Sequence, residues 1–264
     1  MRIPFTKAHG AQNDFLLTWS EAVEEPTAEM ARAICERHTG VGADGWILVT
    51  RGGDACDGSI RLFNSDGSEA EISGNGTRCA AALLVESGCS ARDVRIQTGA
   101  GLKHLRMVSR AGPEFTFEMN MGHPEIQSLR FDLPLHGGAR EVTLVWVGNP
   151  QCAVPVTDFD WDWRAMGEEI EGHPHFPQRT NVSFLTRVDP HTIDVRFYER
   201  GAGETMSSGT GSTGAAAAAL ARGMVTSPVR VLTPAGPLDL REDHGLYLTG
   251  PAAVIATGEF RMGE

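Results

Sequence analysis

The sequence of 264 residues has no excess of basic residues, and this lack excludes one broad class of partner. It contains 23 Lys and Arg against 34 Asp and Glu, which gives a formal net charge of −11 at pH 7. We therefore expect no nucleic acid as a partner, because little positive charge is present to neutralise phosphates. No apolar run is long enough to span a membrane, and the N-terminus lacks the apolar core of a signal peptide. We therefore expect a cytoplasmic protein without a membrane partner.

Cysteine is also scarce, and its spacing argues against two kinds of site. The five cysteines form no C-x-x-C pair, so neither a typical zinc motif nor a disulfide framework is expected. Cysteines scattered in this way are more typical of reduced thiols, most of them packed in the interior. No metal-ligand cluster, pyridoxal-type lysine motif or flavin motif stands out, and we expect neither a metal nor a cofactor. The cysteines are Cys35, Cys56, Cys79, Cys89 and Cys152.

Short runs with β-like patterns recur along the chain, and only a few helical stretches interrupt them. Helices are predicted at residues 29–38, 80–87, 162–169 and 214–222. Many strands and few helices indicate an α+β fold in which curved sheets surround helices.

An internal repeat organises the predicted fold. When the chain is displaced by 135 residues, residues 61–102 fall on 196–237 without a gap, and 14 of 42 positions are identical. Two Gly- and Ala-rich helix starts could match by composition alone, but identities such as Arg61/Arg196 lie outside that composition. We therefore expect two pseudo-symmetric lobes with an active site in the cleft between them. The expected lobes are residues 1–122 together with about 255–264, and residues 123–254.

Each copy of the repeat carries a Ser-Gly-x-Gly turn before an Ala-rich helix, at Ser73 and at Ser208. Free amides at a helix N-terminus, reached through glycines, favour binding of a carboxylate or phosphate. A plain helix N-cap explains either serine taken alone, since serine is a preferred cap. Residues 209–214 also spell G-x-G-x-x-G, but no strand precedes them in a βαβ frame, so dinucleotide binding is not expected.

Polar residues in the loops form a second candidate set. Four asparagines, one glutamate and one arginine could bind a zwitterionic amino acid, with the arginine on a carboxylate and the glutamate on an ammonium. Each asparagine could instead be a turn former, and the charged pair a surface ion pair. The residues are Asn13, Asn64, Asn149, Asn181, Glu199 and Arg200.

At these residues the sequence resembles the diaminopimelate epimerases, which are cofactor-independent amino-acid epimerases. The likeness runs nearly end to end. It includes Gly-x-Gly-Ala-Asp-Gly, Asn-x-Asp-Gly-Ser-Glu-Ala-Glu, Gly-Asn-Gly-x-Arg-Cys, Gly-Asn-Pro, Glu-Arg-Gly-x-Gly-Glu-Thr and Ser-Gly-Thr-Gly. The resemblance implies two lobes, each a barrel-like sheet around a central helix. It also implies interconversion of LL- and meso-diaminopimelate in lysine and peptidoglycan-precursor synthesis, and a homodimer is an expectation drawn from it.

The resemblance further implies the roles of single residues. The four asparagines, Glu199 and Arg200 would contact the amino-acid substrate, while backbone groups of Gly74, Asn75, Gly209 and Thr210 would hold the reacting carboxylate. The two catalytic positions fall on Ser73 and Ser208.

The sequence departs from the family at its acid–base groups. The family's two catalytic cysteines are serines here, and the histidine that follows Gly-Asn-Pro in the family is Gln151. A thiol has a pKa of about 8.5, whereas an alkyl hydroxyl lies nearer to water at about 15.7. The difference of about 7 units corresponds to about 9–10 kcal/mol. We therefore expect an impaired or inactive epimerase. The alternatives are an epimerase, racemase or lyase for another amino acid, and a non-catalytic amino-acid-binding protein.

Overall fold

The computed structural model describes residues 1–263, which divide into two compact units. The first unit contains Met1–Met119 and the chain from Gly250 onward, and the second contains Asn120–Thr249. Within residues 1–263, no helix is both long and apolar enough to cross a membrane.

The first unit is a ring of strands with one buried helix. Its strands are β1 (Arg2–Gly10), β2 (Asn13–Trp19), β3 (Gly45–Arg51), β4 (Gly58–Asn64), β5 (Glu69–Ala70), β6 (Asp93–Thr98), β7 (Gly101–Ala111), most of β8 (Glu114–Gly122) and the end of β17 (Leu246–Arg261). Its helices are α1 (Ala28–Cys35) and α2 (Gly74–Glu86), with a short 3-10 helix at Ser20–Ala22.

Strand pairing closes the first unit into a barrel. Antiparallel pairs join β1 to β2, β3 to β4, β6 to β7 and β7 to β8, while β2–β3 and β4–β6 are parallel. Strand β17 pairs with both β1 and β8, which completes the ring. Helix α2 packs against β1, β2, β3, β4 and β6, and its residues from Gly74 to Leu84 are all buried. A helix enclosed on every side needs small residues, which explains its alanines.

The second unit repeats this plan. Its strands are β9 (Glu125–Leu133), β10 (Arg140–Trp146), β11 (Pro150–Pro155), β12 (Asn181–Asp189), β13 (Thr192–Glu199), β14 (Gly203–Thr205), β15 (Val229–Thr233), β16 (Gly236–Glu242) and the adjoining ends of β8 and β17. Its helices are α3 (Trp163–Glu171) and α4 (Gly209–Ala221). Helix α4 is buried from Gly209 to Ala219 and packs against strands β9 to β13, β15 and β16.

The internal repeat is visible in the topology of the two units. Helix α4 is displaced from α2 by 135 residues at both ends, since 74 + 135 = 209 and 86 + 135 = 221. The two parallel pairs of the first unit, β2–β3 and β4–β6, correspond to the parallel pairs β11–β12 and β13–β15 of the second. The predicted α+β fold with two pseudo-symmetric lobes and central helices is confirmed.

The predicted starts of the two central helices were wrong. Helix α2 begins at Gly74 and not at residue 80, and α4 begins at Gly209 and not at residue 214. Glycine and threonine have low helix propensity, so the sequence did not predict that the first turns of α2 and α4 would be helical. The serine caps, together with burial of the turns, override that propensity.

Candidate active site

Ser73 is the N-cap of α2 in the first unit. Its backbone is extended, with φ −125° and ψ 122°, and its Oγ accepts a hydrogen bond from the amide of Gly76 at 3.1 Å. A Cβ at Gly76 would lie only 2.8 Å from the Cδ1 atom of Ile47, so a larger residue in the turn would require that side chain to move. The half-buried hydroxyl is therefore held in one place by backbone geometry.

Ser208 is the matching N-cap of α4 in the second unit. Its φ of −134° and ψ of 124° are close to those of Ser73, and its Oγ accepts from the amide of Gly211 at 3.0 Å. A Cβ at Gly211 would approach the Cδ1 atom of Phe197 to 2.8 Å. Both serines are thus helix caps, as the simpler interpretation of the sequence proposed. A serine at the N-cap position also has its hydroxyl beside the free amides of the helix's first turn.

The two turns differ in the group that faces each hydroxyl. Ser208 is 3% exposed, and its Oγ donates to the Oε2 atom of Glu199 at 2.7 Å. The other carboxylate oxygen of Glu199 accepts from the Oγ1 atom of Thr205 at 2.6 Å. In the repeat, position 199 corresponds to Asn64, since 64 + 135 = 199. Within residues 1–263, no carboxylate is hydrogen-bonded to Ser73.

Backbone amides at the start of each helix are available to an anion. Thr77 and Ser212 are the first residues whose amides bond to the capping serines' carbonyls, at 2.8 and 2.9 Å. In the described part of the chain, the amides of Gly74 and Gly209 have no acceptor. Donors of this kind, with the positive end of the helix dipole, favour a carboxylate. The same part of the chain contains no cluster of His, Cys, Asp and Glu that could hold a metal ion.

Asn13 and Asn75 come together in the first unit. The Nδ2 atom of Asn75 donates to the Oδ1 atom of Asn13 at 3.2 Å, and Asn13 in turn donates to the Oδ2 atom of Asp44 at 2.7 Å. Burial raises the pKa of Asp44 above its ordinary value. Asn64 does not join this network, because its amide donates to the Oγ atom of Ser68 at 3.0 Å.

Arg78 supports the first turn from inside the fold, and sequence reasoning assigned it no role. It is fully buried, and it donates to the carbonyl oxygens of Pro251 at 3.0 Å and Gly74 at 3.3 Å and to the Oδ1 atom of Asn75. Burial lowers the pKa of its guanidinium to about 10. An arginine within the Ala-rich, buried face of a helix was the sequence signal for such a role.

The side-chain amides of Gln151 and Asn149 form a hydrogen-bonded chain that ends at the second turn. The Nε2 atom of Gln151 donates to the Oδ1 atom of Asn149 at 2.7 Å, and the Nδ2 atom of Asn149 reaches the Oγ1 atom of Thr210 at 3.5 Å. A Cβ at Gly214 would lie 3.1 Å from the Cβ and Cγ atoms of Gln151, so this glycine lets the strand lie close to α4. Gln151 therefore orients Asn149, a role that the sequence did not predict.

Asn181 and Arg200 also come together in the second unit. The Oδ1 atom of Asn181 accepts from the amide of Arg200 at 3.0 Å. The following amide, that of Gly201, donates to the Oε1 atom of Glu171 at 3.2 Å. Glu171 is 1% exposed and is paired with Arg179, whose φ of 61° is unusual for a residue other than glycine. Glu171 thus fixes the loop that carries Arg200, and the sequence did not single it out.

The three buried cysteines do not replace the thiols that the family has at these positions. Cys35, Cys79 and Cys152 are buried and free, and burial raises the pKa of each well above 9. For Cys79, six residues after Ser73, the pKa rises to about 12. A buried thiol of this kind remains protonated near pH 7 and does not act as a base.

A family model and curated relatives both match this chain, and they name the same family. A family model described as diaminopimelate epimerase matches residues 5–127 and 143–255. Curated diaminopimelate epimerases from Pelotomaculum thermopropionicum and Microcystis aeruginosa are each 38% identical to the chain. The first covers 97% of this chain and 98% of the relative, and the second 98% and 99%.

Solved structures share the fold at low sequence identity. A hydroxyproline epimerase from Agrobacterium vitis, with bound trans-4-hydroxy-L-proline, has a TM-score of 0.75 at 17% identity, covering 98% of this chain and 92% of that one. A phenazine biosynthesis protein of the PhzF family from Bacillus anthracis has a TM-score of 0.73 at 16% identity, covering 99% and 100%.

Proposed function

Because the chain belongs to the diaminopimelate epimerase family, a family of isomerases, we propose that it binds diaminopimelate and interconverts its LL and meso forms. The observation that carries this proposal is the duplicated placement of Ser73 and Ser208, each an N-cap beside free helix amides. The likeness over nearly the whole chain supports the substrate. In this proposal the enzyme serves lysine and peptidoglycan-precursor synthesis.

The proposed reaction moves a proton at an α-carbon without a cofactor. One group removes the α-proton, and a second group returns a proton on the opposite face. We assign these two positions to Ser73 and Ser208. The carboxylate next to the reacting carbon lies on the helix amides, which stabilise the charge that develops when the proton leaves.

The remaining candidate residues bind the substrate in this proposal. Backbone groups of Gly74, Asn75, Gly209 and Thr210 hold the reacting carboxylate. The side chains of Asn13, Asn64, Asn149, Asn181, Glu199 and Arg200 contact the other polar groups of the amino acid. The contacts of Asn13 with Asn75, of Asn149 with Thr210 and of Asn181 with the Arg200 loop support this grouping, because each joins two members of the set.

We further propose that catalysis by this chain is impaired. A hydroxyl is about 7 pKa units less acidic than a thiol, and about 9–10 kcal/mol separates the two as bases if nothing compensates. Glu199 provides partial compensation at Ser208 only. Binding is therefore expected to survive better than turnover.

A thermal-shift titration with LL- and meso-diaminopimelate tests the proposed substrate. At a concentration 100 times Kd, a single-site ligand stabilises the folded state by about 2.7 kcal/mol. For a chain of this size that corresponds to a rise in Tm of about 5–10 °C. Lysine and glutamate serve as control ligands, and Arg200→Met should remove most of the shift.

The outcomes of this titration separate the alternatives. Stabilisation by both isomers of diaminopimelate, and not by the controls, supports the proposal. Stabilisation by a different amino acid alone would assign the site to an epimerase, racemase or lyase for that compound. Stabilisation without any exchange of the α-hydrogen would identify a non-catalytic binding protein. No shift with any amino acid would contradict the proposal.

A further inference from the structure

We propose that Arg78 is a positioning residue for a substrate carboxylate at the Ser73 turn, and that it acts through its positive charge. This role rests on the proposed function for its ligand, because that function places a carboxylate on the backbone of Gly74 and Asn75. Arg78 does not touch the ligand in this role, but it makes the start of α2 a stronger anion site. All of the protein groups involved belong to the first unit.

The guanidinium of Arg78 is fully buried among neutral acceptors. Its hydrogen bonds go to the carbonyl oxygens of Pro251 and Gly74 and to the Oδ1 atom of Asn75. Its pKa, lowered by burial to about 10, still leaves it charged near pH 7. Within residues 1–263, no carboxylate forms an ion pair with it. Because arginine is almost never fully buried unless it is paired, an unpaired charge here points to an anionic ligand.

Two hydrogen bonds connect this charge to the start of α2. The carbonyl of Gly74, which accepts from Arg78 at 3.3 Å, belongs to the same peptide group as the amide of Asn75. A cation at the oxygen of a peptide group polarises that group and strengthens its N–H as a donor. The Oδ1 atom of Asn75 also accepts from Arg78, while its Nδ2 atom donates to Asn13 at 3.2 Å. The guanidinium therefore strengthens a backbone donor of the turn and orients the side chain of Asn75.

The carboxylates at the far end of this network are balanced by other cations. Asp14 pairs with Lys7 at 3.0 Å and with Arg37 at 2.9 Å. Arg37 also pairs with Asp44 at 2.8 Å, and Asp44 accepts from the side chain of Asn13. Two carboxylates thus face two cations, and the charge of Arg78 remains for a ligand.

The second unit shows that the helix start itself needs no arginine. The repeat places Thr213 at the position of Arg78, since 78 + 135 = 213. The Oγ1 atom of Thr213 donates to the carbonyl of Gly209 at 2.8 Å, and Gly209 corresponds to Gly74. The serine caps of α2 and α4 are nevertheless alike, with hydrogen bonds of 3.1 and 3.0 Å from the amides that they accept. A neutral side chain can therefore serve the same carbonyl, and the charge of Arg78 is not required to form the turn.

Calorimetric titration with diaminopimelate at pH 6 compares the parent chain with Arg78→Met and Arg78→Lys. Arg78→Met should weaken binding at least about 10-fold, which Coulomb's law gives for a charge about 9 Å away, the span of a peptide group and two hydrogen bonds, at an effective dielectric constant of about 20. Arg78→Lys should lose less than about 3-fold, because it keeps the charge, and the low pH keeps a buried lysine protonated. Both variants lose the guanidinium's fork of hydrogen bonds, so a role in packing alone predicts equal losses.

Arg222→Met is the matched control. Arg222 is a buried arginine at the end of α4, with a side chain 6% exposed, and it donates to Thr143 and to the carbonyl of Leu129. Since it lies at the opposite end of α4 from the Ser208 turn, its loss should change the affinity for diaminopimelate by less than about 2-fold. Urea unfolding of every variant shows that it is folded and how much stability it has lost.

The outcomes separate this role from the proposed function. Unchanged affinity in Arg78→Met, equal losses in Arg78→Met and Arg78→Lys, or an equal loss in Arg222→Met would overturn the role of the charge and leave the proposed function standing. Absence of binding by the parent chain would contradict the proposed function and, with it, the role of Arg78.

Discussion

Replacing the two capping serines by cysteine should destabilise the protein, and more at position 208 than at position 73. A thiol is a weak hydrogen-bond acceptor and donor, so each substitution weakens the cap on a central helix. Ser73 makes one side-chain hydrogen bond, from the Gly76 amide. Ser208 makes two, one from the Gly211 amide and one to the carboxylate of Glu199.

The magnitudes follow from these contacts. Loss of a serine cap costs about 0.5–2 kcal/mol, typically about 1 kcal/mol. A hydrogen bond to a charged group contributes about 1.5–3 kcal/mol more. We therefore expect Ser73→Cys to lower the free energy of unfolding by about 1 kcal/mol and Ser208→Cys by about 2–4 kcal/mol. The serines thus favour helix stability where thiols would favour proton transfer.

Urea unfolding followed by circular dichroism measures both values. Ser128→Cys is the control for the substitution itself, since Ser128 is half-buried in β9 and its side chain makes no hydrogen bond within residues 1–263. It should change the free energy of unfolding by less than about 0.5 kcal/mol. Equal losses at positions 73 and 208, or no loss beyond that of the control, would contradict the contributions assigned to these hydrogen bonds.

Four further predictions concern Arg78, the cysteines and Gln151. Arg78→Met should lower the free energy of unfolding by about 2–4 kcal/mol in urea titrations, because buried acceptors lose their donor; an unchanged midpoint would contradict this. In native protein at pH 8, only Cys56 and Cys89 should react with a thiol reagent, whereas all five thiols should react in denaturant. Because burial raises the pKa of Cys35 and Cys79 to about 12, the contribution of these two thiols to stability is present below about pH 9 and is lost as the pH rises towards 12. A stability that increases over this range would be evidence against it. Gln151→Leu should weaken diaminopimelate binding about 10-fold in calorimetry, because Asn149 loses its orienting donor, and unchanged affinity would remove that role.

The repeat made much of the fold predictable. A match of residues 61–102 with 196–237 predicted two related lobes, and the structure shows the central helices displaced by the same 135 residues. Helix starts were predictable only in part. Glycines and threonines at 209–214 have low helix propensity, and burial of the whole first turn decides their conformation.

The candidate site was predictable where a motif placed a polar residue in a loop. The family resemblance suggests Glu199 as a helper near Ser208, but the hydrogen bond itself is a tertiary contact between the end of β13 and the start of α4, which local sequence does not encode. The same holds for Glu171, which lies on α3 and supports the Arg200 loop from 30 residues away in sequence. Supporting contacts of this kind depend on which strands are neighbours in the sheet. That order of strands is known only from the structure.

In the proposed function, this chain keeps the substrate site of a diaminopimelate epimerase and lacks the family's acid–base thiols. The most direct measurement is the rate of LL- to meso-diaminopimelate conversion by the Ser73→Cys/Ser208→Cys double variant beside the parent chain. We predict a gain of several orders of magnitude in the double variant, with binding of diaminopimelate little changed. A double variant that folds and binds diaminopimelate but converts it no faster than the parent would contradict the claim.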